Sequence, residues 1–332
     1  MRELTISAAA VRALLELAVA RGAGRAEIVA RSEIDPAELK DRDNRLPFRK
    51  YVALMRAGQE LCDDPALALH FGESVDASEI SISCTEWGAG SIDEACAQGN
   101  RYAALTVEVE TDESGERFHL CRTNGDLWLM DQRRNPNDFP ELTESAFARM
   151  VCKARRHLGD LQVIKEVHVT HAEPGYRAEY ERIFRVPVVF GSDRNAMRID
   201  EAVMTSVLPP PSPKYVTEIL KEHAESQLQK LKKSQSTRGR VESLLVPMLQ
   251  TGDVRMDTVA GRLGVSRQTL FRKLKAESVT FETVLEELRC SMAHHYLSEK
   301  KSVKATAYLV GFSDPAAFSR AFKRWTGRAP GR

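Results

Sequence analysis

The sequence lacks any apolar run near the roughly 20 residues that a membrane-spanning helix requires. Its apolar N-terminal stretch, Ile6 to Val19, is broken by Arg12 and Glu16, charges that suit an amphipathic helix better than a signal peptide. A cytoplasmic protein with no membrane contact is therefore expected. The six cysteines (Cys62, Cys84, Cys96, Cys121, Cys152 and Cys290) never pair as C-x-x-C, and no Cys/His spacing suits zinc. The eight histidines form no H-x-x-x-H pair. Adjacent His294 and His295 would point about 100° apart on a helix and cannot share a ligand direction. No metal site and no cofactor is expected. Cys152, beside Lys153 and Arg155, has basic neighbours of the kind that suit a redox sensor. The commoner role for such a residue is that of a small buried hydrophobe.

Catalytic signatures are missing as well. The N-terminal two-thirds contains no G-x-G-x-x-G, no P-loop, no G-x-S-x-G and no H-E-x-x-H. The carboxylates Asp112, Glu113 and Glu116, grouped with Ser114 and Gly115, read as a solvated turn. The expectation is a protein that is not an enzyme. The alternative is an enzyme or partner-binding module carrying a regulatory tail.

What the sequence does have is a hidden asymmetry. The formal net charge is +1, but Arg238 to Arg332 carries 17 Lys/Arg against 9 Asp/Glu, which leaves an acidic larger part upstream. A basic C-terminal unit fits a polyanion partner, although basic faces are also common and merely solvated. Leu208-Pro-Pro-Pro-Ser-Pro213 punctuates the chain, because prolines continue neither helix nor ladder. The domains expected are 1–208, α+β; 209–237, a proline-rich linker and connecting helix; and 238–332, all-α. Within the linker, Lys214 to Lys233 reads as helix and Ser234 to Gly239 as a loop or hinge. The helix carries Val216, Ile219, Leu220, Ala224, Leu228 and Leu231 on one side, a stripe suited either to dimerisation or to packing on its own domain.

In the first part, helical periodicity marks Ala8–Ala20, Phe48–Leu61 and Glu144–Leu158. Residues 117–122, 127–130, 163–170 and 186–190 read as strands. Helices and strands mix without a β-α-β rhythm, which suggests an α+β domain. Trp87, Trp128, Tyr176 and Phe190 could line an effector pocket, but large aromatics more often fill ordinary core.

Beyond Thr237 the pattern is helical throughout, with stripes at Val241–Leu249 and Phe281–Tyr296. Asp257 to Leu274 contains a short helix, a turn at Gly264, an N-cap at Ser266 and inward Leu270 and Leu274. That is the layout of a helix-turn-helix whose second helix enters the major groove. Val303 to Trp325 repeats it, with Gly311 at the turn, Phe312 as plug, Asp314 as N-cap and Pro315 in the first turn. Two such pairs in tandem, in a basic segment, point to DNA far more strongly than one.

On these residues, Val241 to Arg332 closely resembles the DNA-binding domain of the AraC/XylS family of regulators. The most specific stretches are Leu263-Gly-Val-Ser-Arg-Gln-Thr-Leu270 and Leu309-Val-Gly-Phe-Ser-Asp-Pro-Ala-Ala-Phe-Ser-Arg-Ala-Phe-Lys-Arg-Trp-Thr-Gly327. It departs from the family at Thr306, where an aliphatic residue is usual. The first 200 or so residues, most clearly His171 to Asp200, resemble the "arabinose-binding" type of N-terminal domain found in the ornithine-utilisation and mycobacterial virulence-regulator branch. The resemblance implies an α+β sensing or dimerising domain joined to an all-α domain with two helix-turn-helix units. The function it implies is sequence-specific transcription regulation by an effector-responsive activator. The partners expected are double-stranded DNA, RNA polymerase, a small-molecule effector and a second copy of the chain.

The recognition helices expected are 266–277 and 314–326. Gln268, Arg272 and Arg320 are assigned to base edges, since arginine can fork onto guanine and glutamine onto adenine. Phosphate contact is the other role open to them. Arg267, Lys273, Lys275, Lys323 and Arg324 are assigned to phosphates or solvated surface, and Ala316 and Ser319 to the outward face of the second helix. Phe271, a large apolar group on a polar face, either touches a thymine methyl or packs beside Leu274.

Overall fold

The computed structural model describes residues 3–75, 80, 91–111, 115–158, 162–202, 214–249 and 254–330. Trp87, Asp112, Glu113 and the proline stretch 208–213 lie outside the described residues. Contacts divide the chain into one unit ending at Leu228 and a second starting at Gln229.

The first unit opens with β1 (Thr5–Ser7) running into α1 (Ala8–Ala20). Ser7 is extended, and its hydroxyl accepts the Ala10 N–H, capping the helix. Val11, Leu14, Leu15 and Ala18 then recur on one face and are all buried. β2 (Arg45–Pro47) pairs antiparallel with β1 and leads into α3 (Phe48–Leu61), after the short α2 (Arg25–Arg31). These helices and α4 (Leu67–Ser74) enclose a first core around Leu14, Leu54, Met55 and Phe71.

The second core lies between helices and a sheet. After α5 (Ile92–Thr106) come β3 (Phe118–Thr123) and β4 (Asp126–Asp131), then α6 (Glu141–Leu158), β5 (Ile164–His168), α7 (Arg177–Phe184), β6 (Val188–Val189) and β7 (Ala196–Ile199). The sheet order is β3-β4-β7-β5-β6, antiparallel except for β5–β6. β7 sits in the middle, with Met197 opposite Leu129 on one side and Val167 on the other. Phe147, Val151, Tyr180, Ile183 and Phe184 cover that face from α6 and α7. α4 joins the two cores through a close crossing with α6. A β-carbon on Gly72 would lie 2.4 Å from the Ser145 carbonyl oxygen.

Ala8–Ala20 and Phe48–Leu61 form with the expected bounds, and α6 starts three residues earlier than its periodicity suggests. The four strand-like runs become β3 to β6, so the unit is α+β as read from the sequence.

A long helix, α8 (Lys214–Gln235), follows. Ala224 and Leu228 are buried in the first unit, and the Glu225 carboxylate accepts from Arg101 Nε at 2.7 Å and the Tyr102 hydroxyl at 2.6 Å. That part of the apolar stripe packs on its own domain, while Ile219 is 47% exposed.

Ser234–Gly239 is not the loop expected. α8 runs to Gln235 and α9 (Thr237–Leu249) begins two residues later. Polar side chains satisfy the break. Ser236 Oγ accepts the Gly239 N–H at 2.9 Å, and the Glu277 carboxylate accepts the N–H groups of Thr237 and Arg238 at 2.6 and 3.0 Å. A composition of Ser, Thr and Gly signals a loop only when such partners are missing.

Candidate nucleic-acid interface

The second unit holds α9 and five further helices among the described residues: α10 (Met256–Arg262), α11 (Arg267–Ala276), α12 (Phe281–Ser298), α13 (Val303–Leu309) and α14 (Pro315–Thr326). α10 and α11 form the first helix-turn-helix. Gly264 turns the chain at φ +66°, which glycine adopts without strain. Ser266 caps α11 by accepting the Thr269 N–H. Leu270 and Leu274 are buried with Val259, Ala260, Val241, Leu245, Phe281 and Val284.

α13 and α14 repeat the device. Gly311 turns at φ +81°, and the Asp314 carboxylate accepts the N–H groups of Ala316 and Ala317, each at 3.0 Å. Those bonds hold the Asp314 carboxyl below the usual range. Phe318 and Phe322 are buried with Ala293, Ala307 and Val310, and Gly327 ends the helix in the left-handed region. The plug Phe312 is half-buried, with ring contacts to Phe318 and Trp325 at 5.7 and 6.0 Å.

α12 fixes the relation between the pairs, because its first turns enter one core and its last turns the other. Arg289, midway along it, was not foreseen. Its guanidinium donates to the carbonyls of Val310 and Gly311 at 3.1 and 3.4 Å and lies 4.9 Å from the Phe312 ring centroid. A β-carbon on Gly311 would meet the Leu249 carbonyl oxygen at 2.6 Å, so the second turn also sits against the end of α9. A lone arginine in a helix carries no sequence signal for such a carbonyl clamp.

The outward faces differ in how free their charges are. On α11, Gln268, Phe271, Arg272 and Lys275 are exposed at the i, i+3, i+4, i+7 spacing of one helical face. The side chains of Arg272, Lys275 and Gln268 make no hydrogen bond or ion pair among the described residues. Arg267 is instead held by Asp257 at 2.9 Å. On α14, Ala316, Arg320 and Lys323 are exposed, with Arg320 3.9 Å from Asp314. Arg324 is paired with Glu286 of α12 at 2.5 Å. Ser319 is half-buried, and its hydroxyl donates to the Pro315 carbonyl at 2.9 Å.

In the first unit, Tyr176 bonds a buried carboxylate, and Phe190 packs on Tyr180 and His171 with ring centroids 4.9 and 5.9 Å away. The Glu144 Oε1 accepts from the hydroxyls of Tyr176 at 2.9 Å and Tyr180 at 2.5 Å, and the Tyr180 hydroxyl also meets His171 Nε2 at 2.8 Å. The second carboxylate oxygen is buried without a partner. Burial, opposed by the two tyrosine hydroxyls, pushes the Glu144 carboxyl up to about 7. Trp128 stands apart, edge-on to His168 at 5.0 Å. A second buried group ties the β3–β4 hairpin to α6: Asp131 binds Arg117 at 3.2 Å, Arg133 at 3.4 Å and the Thr143 hydroxyl at 2.9 Å. Burial raises the Cys152 thiol above its ordinary range, which removes the reactive thiolate. Among the described residues no helix is long and apolar enough to cross a membrane. No group of three or more His, Cys, Asp or Glu among them could hold a metal ion.

Two helix-turn-helix pairs sharing one linking helix in a basic unit, together with a separate α+β unit, define a DNA-binding transcription regulator. The pattern of the "arabinose-binding domain of AraC transcription regulator, N-term" matches residues 22–208, and that of a "helix-turn-helix domain" matches residues 259–332. The chain belongs to the AraC family of transcription regulators. It is similar to the ornithine utilization regulator of Pseudomonas aeruginosa, with 24% identity over 98% of this chain and 95% of that one. The regulator VirS of Mycobacterium tuberculosis is 28% identical over 68% of this chain and 63% of its own length. The transcriptional activator RhaS of Escherichia coli is 40% identical over 23% of this chain and 29% of its own.

Proposed function

We propose that this chain is a sequence-specific, effector-responsive regulator whose α11 and α14 enter two successive major-groove segments of duplex DNA. What supports this most is the contrast among its basic side chains. Arg238, Arg267 and Arg324 are held by acidic neighbours, whereas Arg272, Lys275 and Lys323 stand exposed on the two outward faces without one among the described residues. In this reading Gln268, Arg272 and Arg320 meet base edges, and Lys275 and Lys323 meet phosphates. Arg267 and Arg324 reach phosphate by releasing Asp257 and Glu286. The first unit senses a small molecule, a second copy of the chain joins through it, and RNA polymerase is the partner of an activator in the cytoplasm. The name of RhaS, an activator similar over 23% of this chain, supports that output. Regulation by binding, not catalysis, is the function.

The test is a footprint of the full-length protein on its target. Two protected major-groove segments about 10 bp apart are expected. Protection of a single segment would overturn the two-helix reading. On the same target, Arg272→Ala should lose about 1–3 kcal/mol and relax preference at one base pair. Lys275→Ala should weaken binding to all sequences alike and reduce the salt slope by about one. Equal weakening on every base variant by Arg272→Ala would reassign that residue to phosphate.

A further inference from the structure

Phe271 is the anomaly on the outward face of α11. Its side chain is 53% exposed, between Gln268 three residues before it and Arg272 and Lys275 one and four residues after. The core beneath does not need it, because Leu270 and Leu274 are 0% and 1% exposed and close the contact with α9 and α12. The ring borders an open notch of about 460 Å³ whose apolar walls are Met256, Leu274, Val279 and Phe281. A phenyl group left half in water loses the free energy that burial would supply. On a helix face that enters the major groove, few surfaces could cover it. Guanine, adenine and cytosine present donors and acceptors there, and thymine alone adds an apolar group, the 5-methyl.

We propose that Phe271 selects thymine at one position of the target by packing its ring on the 5-methyl group, an inference that rests on the reading of α11 as a groove-entering helix. Gln268 and Arg272 flank the ring by one helical turn and one residue. The thymine therefore lies beside the base pairs whose hydrogen-bonding edges those two side chains meet. The ring supplies discrimination that no hydrogen-bonding side chain on this face provides, because the methyl is the only feature it detects.

Replacing thymine by deoxyuridine removes that methyl and nothing else, which makes the test direct. The full-length protein selects its target from random duplexes. Each thymine of the half contacted by α11 is then replaced singly by deoxyuridine, and the Kd is measured. One replacement is expected to weaken wild-type binding about three- to fivefold, the scale of one buried methyl group. Phe271→Ala should bind the thymine and uracil duplexes equally, and Phe271→Leu should keep part of the difference. Unchanged helix content and melting temperature show that both variants are folded. The proposal is overturned if no replacement changes wild-type binding, or if the uracil effect persists undiminished in Phe271→Ala. A wild type that selects no duplex would defeat the underlying DNA reading, and this inference with it.

Discussion

At position 306 a threonine lies in α13 with none of its surface exposed and no hydrogen-bond partner for its hydroxyl. The family resemblance places an aliphatic side chain there, and the packing explains why: Ala307 and Val310 next to it enter the apolar core of the second helix-turn-helix. A buried hydroxyl without a partner costs about 1–3 kcal/mol. Valine has nearly the same shape and no polar atom. Thr306→Val should therefore stabilise the second unit by about 1 kcal/mol, read as a higher denaturation midpoint with unchanged DNA affinity. A lower midpoint would show that the hydroxyl is bonded in solution. The ends of α13 and α14 follow ordinary capping rules, with Ser302 and Asp314 accepting first-turn N–H groups and Gly327 closing α14 in the left-handed region.

Among elements, the α8–α9 junction and α10 make opposite demands on glycine. A β-carbon on Gly239 would stand 2.0 Å from the Lys233 carbonyl oxygen, so the end of α8 would have to move and loosen the Ser236 cap. Gly261, inside α10, has nothing within 4 Å of the same atom. Gly239→Ala should destabilise the second unit by about 1–3 kcal/mol, whereas Gly261→Ala should stabilise it by about 0.5–1 kcal/mol. Chemical denaturation of both variants checks the pair, and equal signs would refute the packing at Ser236. Legibility in the sequence divides along the same line. Helices with a long apolar stripe, such as α1 and α3, and turns that demand glycine, such as those at Gly264 and Gly311, announce themselves locally. The central strand Ala196–Ile199 does not, because four residues carry no periodicity and its place comes from pairing with β4 and β5. Asp131 with Arg117 and Arg133, and Glu144 with its two tyrosines, are likewise contacts across the chain that no spacing rule encodes. On α11 and α14 the outward faces were readable from periodicity, except at Ser319, which is half-buried. The engagement of Arg267 by Asp257 and Arg324 by Glu286 depends on neighbouring helices and was not.

At the scale of the whole molecule, two units with separate cores should unfold in two transitions, and target DNA identifies the second by raising it alone. One carboxyl in each unit, exposed Glu277 in the second and buried Glu144 in the first, responds to pH with opposite sign. Burial pushes the Glu277 carboxyl in the second unit up, but the backbone N–H groups of Arg238 and Thr237 outweigh it and the group ends below the usual range. Its stabilising contribution is present above the ordinary carboxylate pKa and is lost as pH falls through the lowered one. Glu144 in the first unit is the reverse case. Its carboxyl is raised from 4.5 to about 7, chiefly by burial, so the folded state holds a proton that the unfolded state releases. The contribution is complete below about 4.5 and is lost as pH rises through about 7. Asp131, which burial raises but Arg117 and Arg133 lower further, is already ionised across that window and does not compete. The first transition should therefore fall in temperature between pH 5 and 8 more steeply in the wild type than in Glu144→Gln, which cannot ionise. The second transition should be the same in both proteins. Calorimetry of the full-length chain at several pH values, with and without target DNA, measures this difference. If the first transitions of the two proteins fall in parallel, Glu144 is ionised in the folded state and solvent reaches it between α6 and α7.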